Sequence, residues 1–309
     1  MTNDKLTIGT RGSKLALWQT NWVKAELARH HPHLHIDIKI ISTKGDRVLD
    51  VSLPKLGEQG KGLFTKELED EMFAGQIDLA VHSLKDLPTE LPAGLTVGAI
   101  CEREDVRDAF VAVGGIANFA ALPEGAILGT SSLRREAQIR AARPDLKIVP
   151  VRGNLDTRLR KLDEGEFAAI ILAAAGLRRL AYDHRITEYL DSRFMLSAVG
   201  QGALAIESRQ DDARVNEVLK AIDHLPTRLA CTAERSFLKG LGGGCIVPIA
   251  ALCRVAGDEL ILDGLVAKAD GSRIIREQMN GNVNDAEGLG QQLANQLLQQ
   301  GAKELLANQ

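Results

Sequence analysis

Ala126-Ile-Leu-Gly-Thr130 runs directly into Ser131-Ser-Leu-Arg-Arg135: a short apolar strand, a polar turn, then a helix that opens on two arginines. The arrangement returns twice without repeating its sequence. Lys147 to Val151 leads into Arg152-Gly-Asn-Leu-Asp-Thr-Arg158, and Phe167 through Ala173 leads into Ala175-Gly-Leu-Arg-Arg179, again read as a helix with arginines at its opening. Strands alternating with helices indicate an α/β fold. In an open parallel sheet the carboxyl ends of the strands share one edge, and ligands of such folds bind there. Arg134, Arg135, Arg152, Arg158, Arg178 and Arg179 are expected along that edge.

Outward from this middle, Leu6-Thr-Ile-Gly-Thr10 reads as a strand, and Ser13 can cap a helix carrying Leu15, Trp18, Trp22 and Leu27 until Pro32. Arg11 falls between the two. Ile36, Ile38 and Ile40 alternate as in a strand, and the aperiodic stretch from Ser42 to Gly62 is expected to be mobile. A helix from about Phe64 to Phe73 leads into a strand, Ile77-Asp-Leu-Ala-Val81, with Lys85 and Asp86 just past its end. Later, Gly200-Gln-Gly-Ala-Leu-Ala205 fits the dinucleotide pattern G-x-G-x-x-A, but Ala203-Leu-Ala-Ile-Glu207 looks like strand rather than helix, so a crossing segment is expected instead. Glu259 to Lys268 and Ser272 to Asn280 read as a hairpin closed at Asp270-Gly271, covered by a helix from about Asp285 to Leu306. A small separate α+β domain from roughly residue 221 onward is therefore expected.

The chain has 309 residues, enough for two or three domains. Its 45% hydrophobic and 26% charged residues suit a globular protein. Neither a basic-then-apolar start nor an apolar run long enough to span a bilayer is present, so no secretion signal or membrane span is expected. A net charge of -3 with 4% aromatics argues against nucleic acid as a partner. Cys101, Cys231, Cys245 and Cys253 have neither disulfide-framework nor zinc-ligand spacing, and no metal is expected.

Guanidinium forks grip carboxylates or phosphates bidentately, and helix amino termini add N–H donors. Arg134 and Arg135, about 100° apart on a helix, are expected to serve different anionic groups. Asp86 is either a turn carboxylate paired with Lys85 or, ionised, a counter-charge to a developing positive charge on a substrate. His82 is expected to be a satisfied, partly buried histidine. Cys245, after Gly242-Gly-Gly244, is a candidate nucleophile, while the other three cysteines read as packing residues. An anion-binding protein without catalysis, a cysteine acyl transferase and a nucleic-acid binder are competing readings. None accounts for the carboxylate, the cysteine and the arginines together.

Taken in order, Lys61-Gly-Leu-Phe-Thr-Lys-Glu-Leu-Glu69, Val81-His-Ser-Leu-Lys-Asp-Leu-Pro88, Gly129-Thr-Ser-Ser-Leu-Arg-Arg135, Arg152-Gly-Asn154, Gly200-Gln-Gly-Ala203 and Gly243-Gly-Cys245 closely resemble the porphobilinogen deaminases, or hydroxymethylbilane synthases. The resemblance spans nearly the whole chain. It implies two lobes like those of type II periplasmic binding proteins and a third small α+β domain: residues 1–101 plus 203–220, 102–202, and 221–309. It implies head-to-tail condensation of four porphobilinogen molecules into linear hydroxymethylbilane with loss of ammonia, for tetrapyrrole (haem) synthesis. A dipyrromethane cofactor joined to Cys245 by a thioether is implied, as is a cytoplasmic monomer without membrane or nucleic-acid partners.

Carried over by position, Asp86 is the catalytic residue. Ser83, Lys85, Asp86, Thr130, Ser132, Arg134 and Arg135 hold the cofactor. Arg11, Phe64, Arg152, Arg158 and Arg179 meet the substrate or the growing polypyrrole chain. The Ser42 to Gly62 stretch corresponds to a mobile loop. Lys14, Glu58, Gln59 and Gly242 depart from the family pattern, all in regions read as loops.

Overall fold

A computed structural model describes residues 5–47, 62–243 and 247–307. Most of the expected mobile stretch and Cys245 itself lie outside them. The first part of the chain forms β1 (Lys5–Thr10), α1 (Lys14–His30), β2 (His35–Ile40), α2 (Lys44–Arg47), α3 (Lys66–Phe73), β3 (Leu79–Ser83) and β4 (Leu95–Ile100). Then come β5 (Asp108–Ala112), β6 (Ile127–Gly129), α4 (Leu133–Ala142), β7 (Lys147–Val149), α5 (Leu155–Asp163), β8 (Ala169–Ala173), α6 (Ala174–Arg179) and β9 (Glu188–Tyr189). The remainder gives β10 (Leu204–Arg209), α7 (Ala213–Leu219), α8 (Leu225–Gly240), β11 (Ile249–Ala256), β12 (Glu259–Ala267), β13 (Ile274–Asn282), α9 (Ala286–Gln299) and α10 (Ala302–Ala307).

Backbone contacts divide the chain into two compact units: residues 1–104 with 203–228, and residues 105–202 with 229–309. The first holds a five-stranded sheet ordered β2-β1-β3-β10-β4, in which β1 pairs in parallel with β2 and β3 while β10 returns antiparallel between β3 and β4. Ser13 caps α1 by accepting from the Ala16 N–H, as its position ahead of the apolar run predicts. The inner stripe of α1 is Ala16, Thr20, Val23 and Leu27; Trp18 is offset from it and stands at the surface. Val23 and Leu27 pack with Leu6, Ile8, Leu79, Val81 and Ile206 into the core.

The second unit repeats the pattern with a sheet ordered β7-β6-β8-β5-β9. β6 runs parallel to β7 and to β8, so the three strand-to-arginine units do share a carboxyl-end edge; β5 is antiparallel to β8. Two such mixed sheets, with a third, antiparallel sheet β11-β12-β13, make an α/β fold. The expected hairpin is β12–β13. Its Gly271 has φ +72°, and a Cβ there would sit 2.6 Å from the Ala137 carbonyl oxygen, so the turn closes directly against α4. The single terminal helix expected from the sequence is two helices. Gly301, at φ +96°, ends the first and re-aims the chain into α10.

Candidate active site

In the first unit a pocket opens where β1 and β3 reach their carboxyl ends. Arg11, Ser13, Gln19, Phe64, His82, Ser83 and Asp86 are among its lining residues. The strand-to-helix turn after β1 presents Arg11, and the short 3-10 turn Leu84–Asp86 after β3 presents Asp86. The Arg11 guanidinium carbon lies 4.2 Å from the centroid of the Phe64 ring. Such stacking fixes the direction of a long cationic side chain. Gln19 donates to the Ser83 hydroxyl across 2.9 Å, tying α1 to the end of β3. Asp86 is exposed and accepts no hydrogen bond from any described residue, so its carboxylate is available to a ligand's N–H groups. Lys85 beside it is half-buried. His82 is buried more deeply than expected, and its Nε2 lies 3.0 Å from Oε2 of Glu207.

In the second unit Thr130 is buried, and Ser132 caps α4 through the Arg135 N–H. Arg134 and Arg135, 4% and 6% exposed, do not diverge toward different anions within the protein, contrary to their helical offset. Both end on one fully buried carboxylate. Arg134 reaches Oδ2 of Asp108 at 2.8 Å and Arg135 reaches Oδ1 at 2.7 Å, because long guanidinium stems bridge the angle between neighbouring positions. Gln201 also donates to Asp108 Oδ1 at 2.9 Å, and Arg134 to the Leu196 carbonyl at 2.6 Å. Burial works to raise the Asp108 carboxyl, but the charges and hydrogen bonds of the two arginines outweigh it and hold the group well below the ordinary carboxylate range. Burial likewise lowers Arg134, against Asp108 and with the like charge of Arg135.

Of the remaining arginines, Arg152 follows β7, Arg158 lies on α5, and Arg178 and Arg179 lie on α6. Arg152 is half-buried with no hydrogen bond or ion pair to a described residue; Arg158 donates through Nε to the Gly153 carbonyl at 2.9 Å. Arg179 is buried and donates to the Gly202 carbonyl at 2.7 Å, whereas Arg178 is exposed beside Asp105 and Asp183. Both stand in the last turn of α6, not at its opening, since that helix is only six residues long. Cys101, Cys231 and Cys253 are buried, as their reading as packing residues predicts. Among the described residues no group of acidic, histidine and cysteine side chains could hold a metal.

Sequence reasoning missed Asp108, Glu207, Glu69 and Gln19. Asp108 carried a signal, a carboxylate at the head of the apolar run Ala109 to Ala112.

Residues 6–217 match the family described as porphobilinogen deaminase, dipyromethane cofactor binding domain, and residues 228–299 match the porphobilinogen deaminase C-terminal domain. The chain belongs to the porphobilinogen deaminase family. It is 54% identical to the porphobilinogen deaminase of Synechococcus sp. (strain RCC307) over 99% of this chain and 97% of that one. To the porphobilinogen deaminase of Geobacter sulfurreducens it is 51% identical, over 99% and 95%. Among solved structures, the methionine-binding protein MetQ aligns with TM-score 0.45 at 12% identity, over 71% of this chain and 90% of that one. The periplasmic VFT2 domain of Bordetella pertussis BvgS aligns with TM-score 0.41 at 13% identity, over 71% and 87%.

Family membership makes the protein a transferase with a dipyrromethane cofactor. The side chains present fit such a group. Asp108 neutralises only one of the two guanidinium charges on it, and the Nε atoms of Arg134 and Arg135 are buried without a partner among the described residues. An excess positive charge of this kind suits a ligand bearing carboxylates.

Proposed function

We propose that the protein condenses four porphobilinogen molecules head to tail into linear hydroxymethylbilane, releasing ammonia at each step, for tetrapyrrole (haem) synthesis. The observation that carries this reading is Asp86 in one pocket with the Arg11–Phe64 pair: a carboxylate for pyrrole N–H groups beside a guanidinium for pyrrole carboxylates. Dipyrromethane, when bound, supplies the nucleophilic pyrrole end from which the product grows. Cys245 is its attachment point in this reading, and Ser83, Lys85, Asp86, Thr130, Ser132, Arg134 and Arg135 hold it.

Asp86 holds pyrrole N–H groups and offsets the cation left on the substrate when ammonia departs, a fixed charge aimed where charge develops. Arg11, Arg152, Arg158 and Arg179 take the acetate and propionate groups, two negative charges per added ring. Phe64 lies against the incoming pyrrole and keeps the Arg11 fork in place.

The division into residues 1–101 plus 203–220, 102–202 and 221–309 belongs to the same reading, with Asp86 in the first domain, the arginine edge in the second and Cys245 in the third. So does a cytoplasmic monomer acting on small molecules, without nucleic acid or membrane. No described helix is long and apolar enough to cross a bilayer.

Intact-mass measurement of the purified protein tests the reading. We expect a mass above that of the polypeptide by one dipyrromethane, lost in Cys245→Ser, together with ammonia release from porphobilinogen. An active protein of bare polypeptide mass would refute covalent attachment, and a cofactor-loaded protein that releases no ammonia would refute the condensation.

A further inference from the structure

Three ionisable side chains, His82, Glu207 and Glu69, cluster at the Asp86 pocket, and neither cofactor binding nor substrate binding uses any of them. His82 lines the pocket and is 6% exposed. Its partner Glu207, on β10, has no exposed surface, and Glu207 Oε1 is buried with no hydrogen-bond partner among the described residues. Glu69, on α3, is also buried; burial raises its carboxyl above the ordinary range and the charge of Glu207 adds to that, against Thr65 and His82. A fold that needed only packing here would place apolar side chains, since buried carboxylates are costly when incompletely paired.

The geometry gives His82 a defined chemistry. With Nε2 donating to Glu207, the other ring nitrogen, Nδ1, is the basic one, and no described residue hydrogen-bonds to it. The charged groups around the ring are Glu207 from β10, Glu69 from α3, and, in the pocket, Arg11 after β1 and Asp86 after β3. Asp86 is committed to pyrrole N–H groups in the proposed condensation, so a separate base is needed for the carbon-bound proton.

We propose that His82 takes the proton set free in each condensation, with Glu207 as the positioning residue that fixes its tautomer and balances its charge. The inference rests on the proposed condensation. In each round the C–N bond of the protonated aminomethyl group breaks and its electron pair leaves with ammonia. The α-carbon of the terminal pyrrole ring donates the pair that forms the new C–C bond. The α C–H bond then breaks, its pair restores the aromatic ring, and its proton passes to Nδ1 of His82 and on to the released ammonia, giving ammonium.

The test uses cofactor-loaded His82→Gln and Glu207→Gln, with porphobilinogen carrying hydrogen or deuterium at its free α-position. We expect His82→Gln to lose about 100-fold in kcat with little change in KM, and to turn over the deuterated substrate more slowly than the ordinary one. Glu207→Gln should lower kcat with little change in KM, because the carboxylate that holds the ring by Nε2 and leaves Nδ1 to take the proton is gone. Imidazole nitrogen NMR of the substrate-free protein should show Nε2–H for His82, a preference that Glu207→Gln loses. A His82→Gln enzyme with kcat within two-fold of wild type and no deuterium effect overturns the proposal. If that variant does not fold, a Glu207→Gln enzyme with wild-type kcat overturns it instead. Wild-type protein that releases no ammonia would overturn the condensation itself, while the NMR signature is read without turnover.

Discussion

The guanidinium of Arg11 stacks on the ring of Phe64, 4.2 Å from carbon to centroid. A stacked guanidinium loses less freedom when it grips a carboxylate, and such contacts contribute about 0.5–1 kcal/mol at accessible sites. Phe64→Leu should therefore raise KM for porphobilinogen roughly 2- to 5-fold while Phe64→Tyr stays near wild type. Arg11→Lys keeps the charge but not the planar fork and should do worse than Phe64→Leu. Steady-state kinetics decides it; equal KM values in wild type and Phe64→Leu would show that the stacking does not prepare Arg11 for its ligand.

Asp108 joins Arg134 and Arg135 without exposure to water. Asp108→Asn leaves two buried guanidinium groups facing no carboxylate, and breaking a buried pair costs about 3–5 kcal/mol. The pH dependence is set by the sign of the shift. The folded-state carboxyl lies below its unfolded value, so its contribution is complete above the unfolded pKa of about 4 and is lost as pH falls toward the folded value. Denaturant titrations from pH 7 to pH 3 should show wild type losing stability below about pH 4, with Asp108→Asn weaker at neutral pH and flatter across the acid range. Parallel curves for the two proteins would remove Asp108 from the acid response.

Asp86 is exposed at the end of its 3-10 turn and supports no described hydrogen bond, so its replacement should cost function and little stability. Asp86→Asn retains shape and loses the negative charge. We expect turnover reduced by at least about 100-fold, within the range seen when one electrostatic stabiliser of a transition state is removed, with the melting temperature unchanged within about a degree or two. Turnover near wild type would reassign Asp86 to the surface-turn role that its neighbour Lys85 also permits.

How much of the fold and site was legible in the sequence depends on what each residue does locally. Strands, caps and turns were readable because their signals are short-range: Ser13 ahead of an apolar run, three apolar strands each followed by arginines, Asp270-Gly271 between two strands. The strand after Gly200-Gln-Gly202 was readable for the same reason, and it turned a nucleotide-like glycine pattern into a crossing segment. Pairings made through space were not readable. Asp108 lies 26 and 27 positions from the arginines that claim it, and Glu207 lies 125 positions from His82. Nor does helical spacing say where a flexible guanidinium ends, which is why Arg134 and Arg135 were assigned to separate anions and converge on one. The break before α10 rests on one glycine, and a glycine inside a helical pattern is ambiguous until its φ is known.

Glu234, on α8, is fully buried and accepts from two backbone N–H groups, Gly200 at 2.7 Å and Cys253 at 2.8 Å. It thus ties the crossing segment, where Gly200 and Gly202 both have positive φ, to the first strand of the third sheet. Glu234→Gln preserves volume and one acceptor oxygen but turns an amide NH₂ toward a backbone donor. Leaving a buried donor unsatisfied costs roughly 1–3 kcal/mol, and losing a charge-assisted bond adds to it. Chemical denaturation should therefore show a loss of about 2–4 kcal/mol, and hydrogen exchange should quicken at the Gly200 or Cys253 amide ahead of amides elsewhere in β11. Glu234→Asp, with its carboxylate intact on a shorter stem, should recover part of the loss only if one amide stays within reach. A Glu234→Gln protein as stable as wild type, with both amides still protected, would show that the two N–H groups are satisfied without this carboxylate.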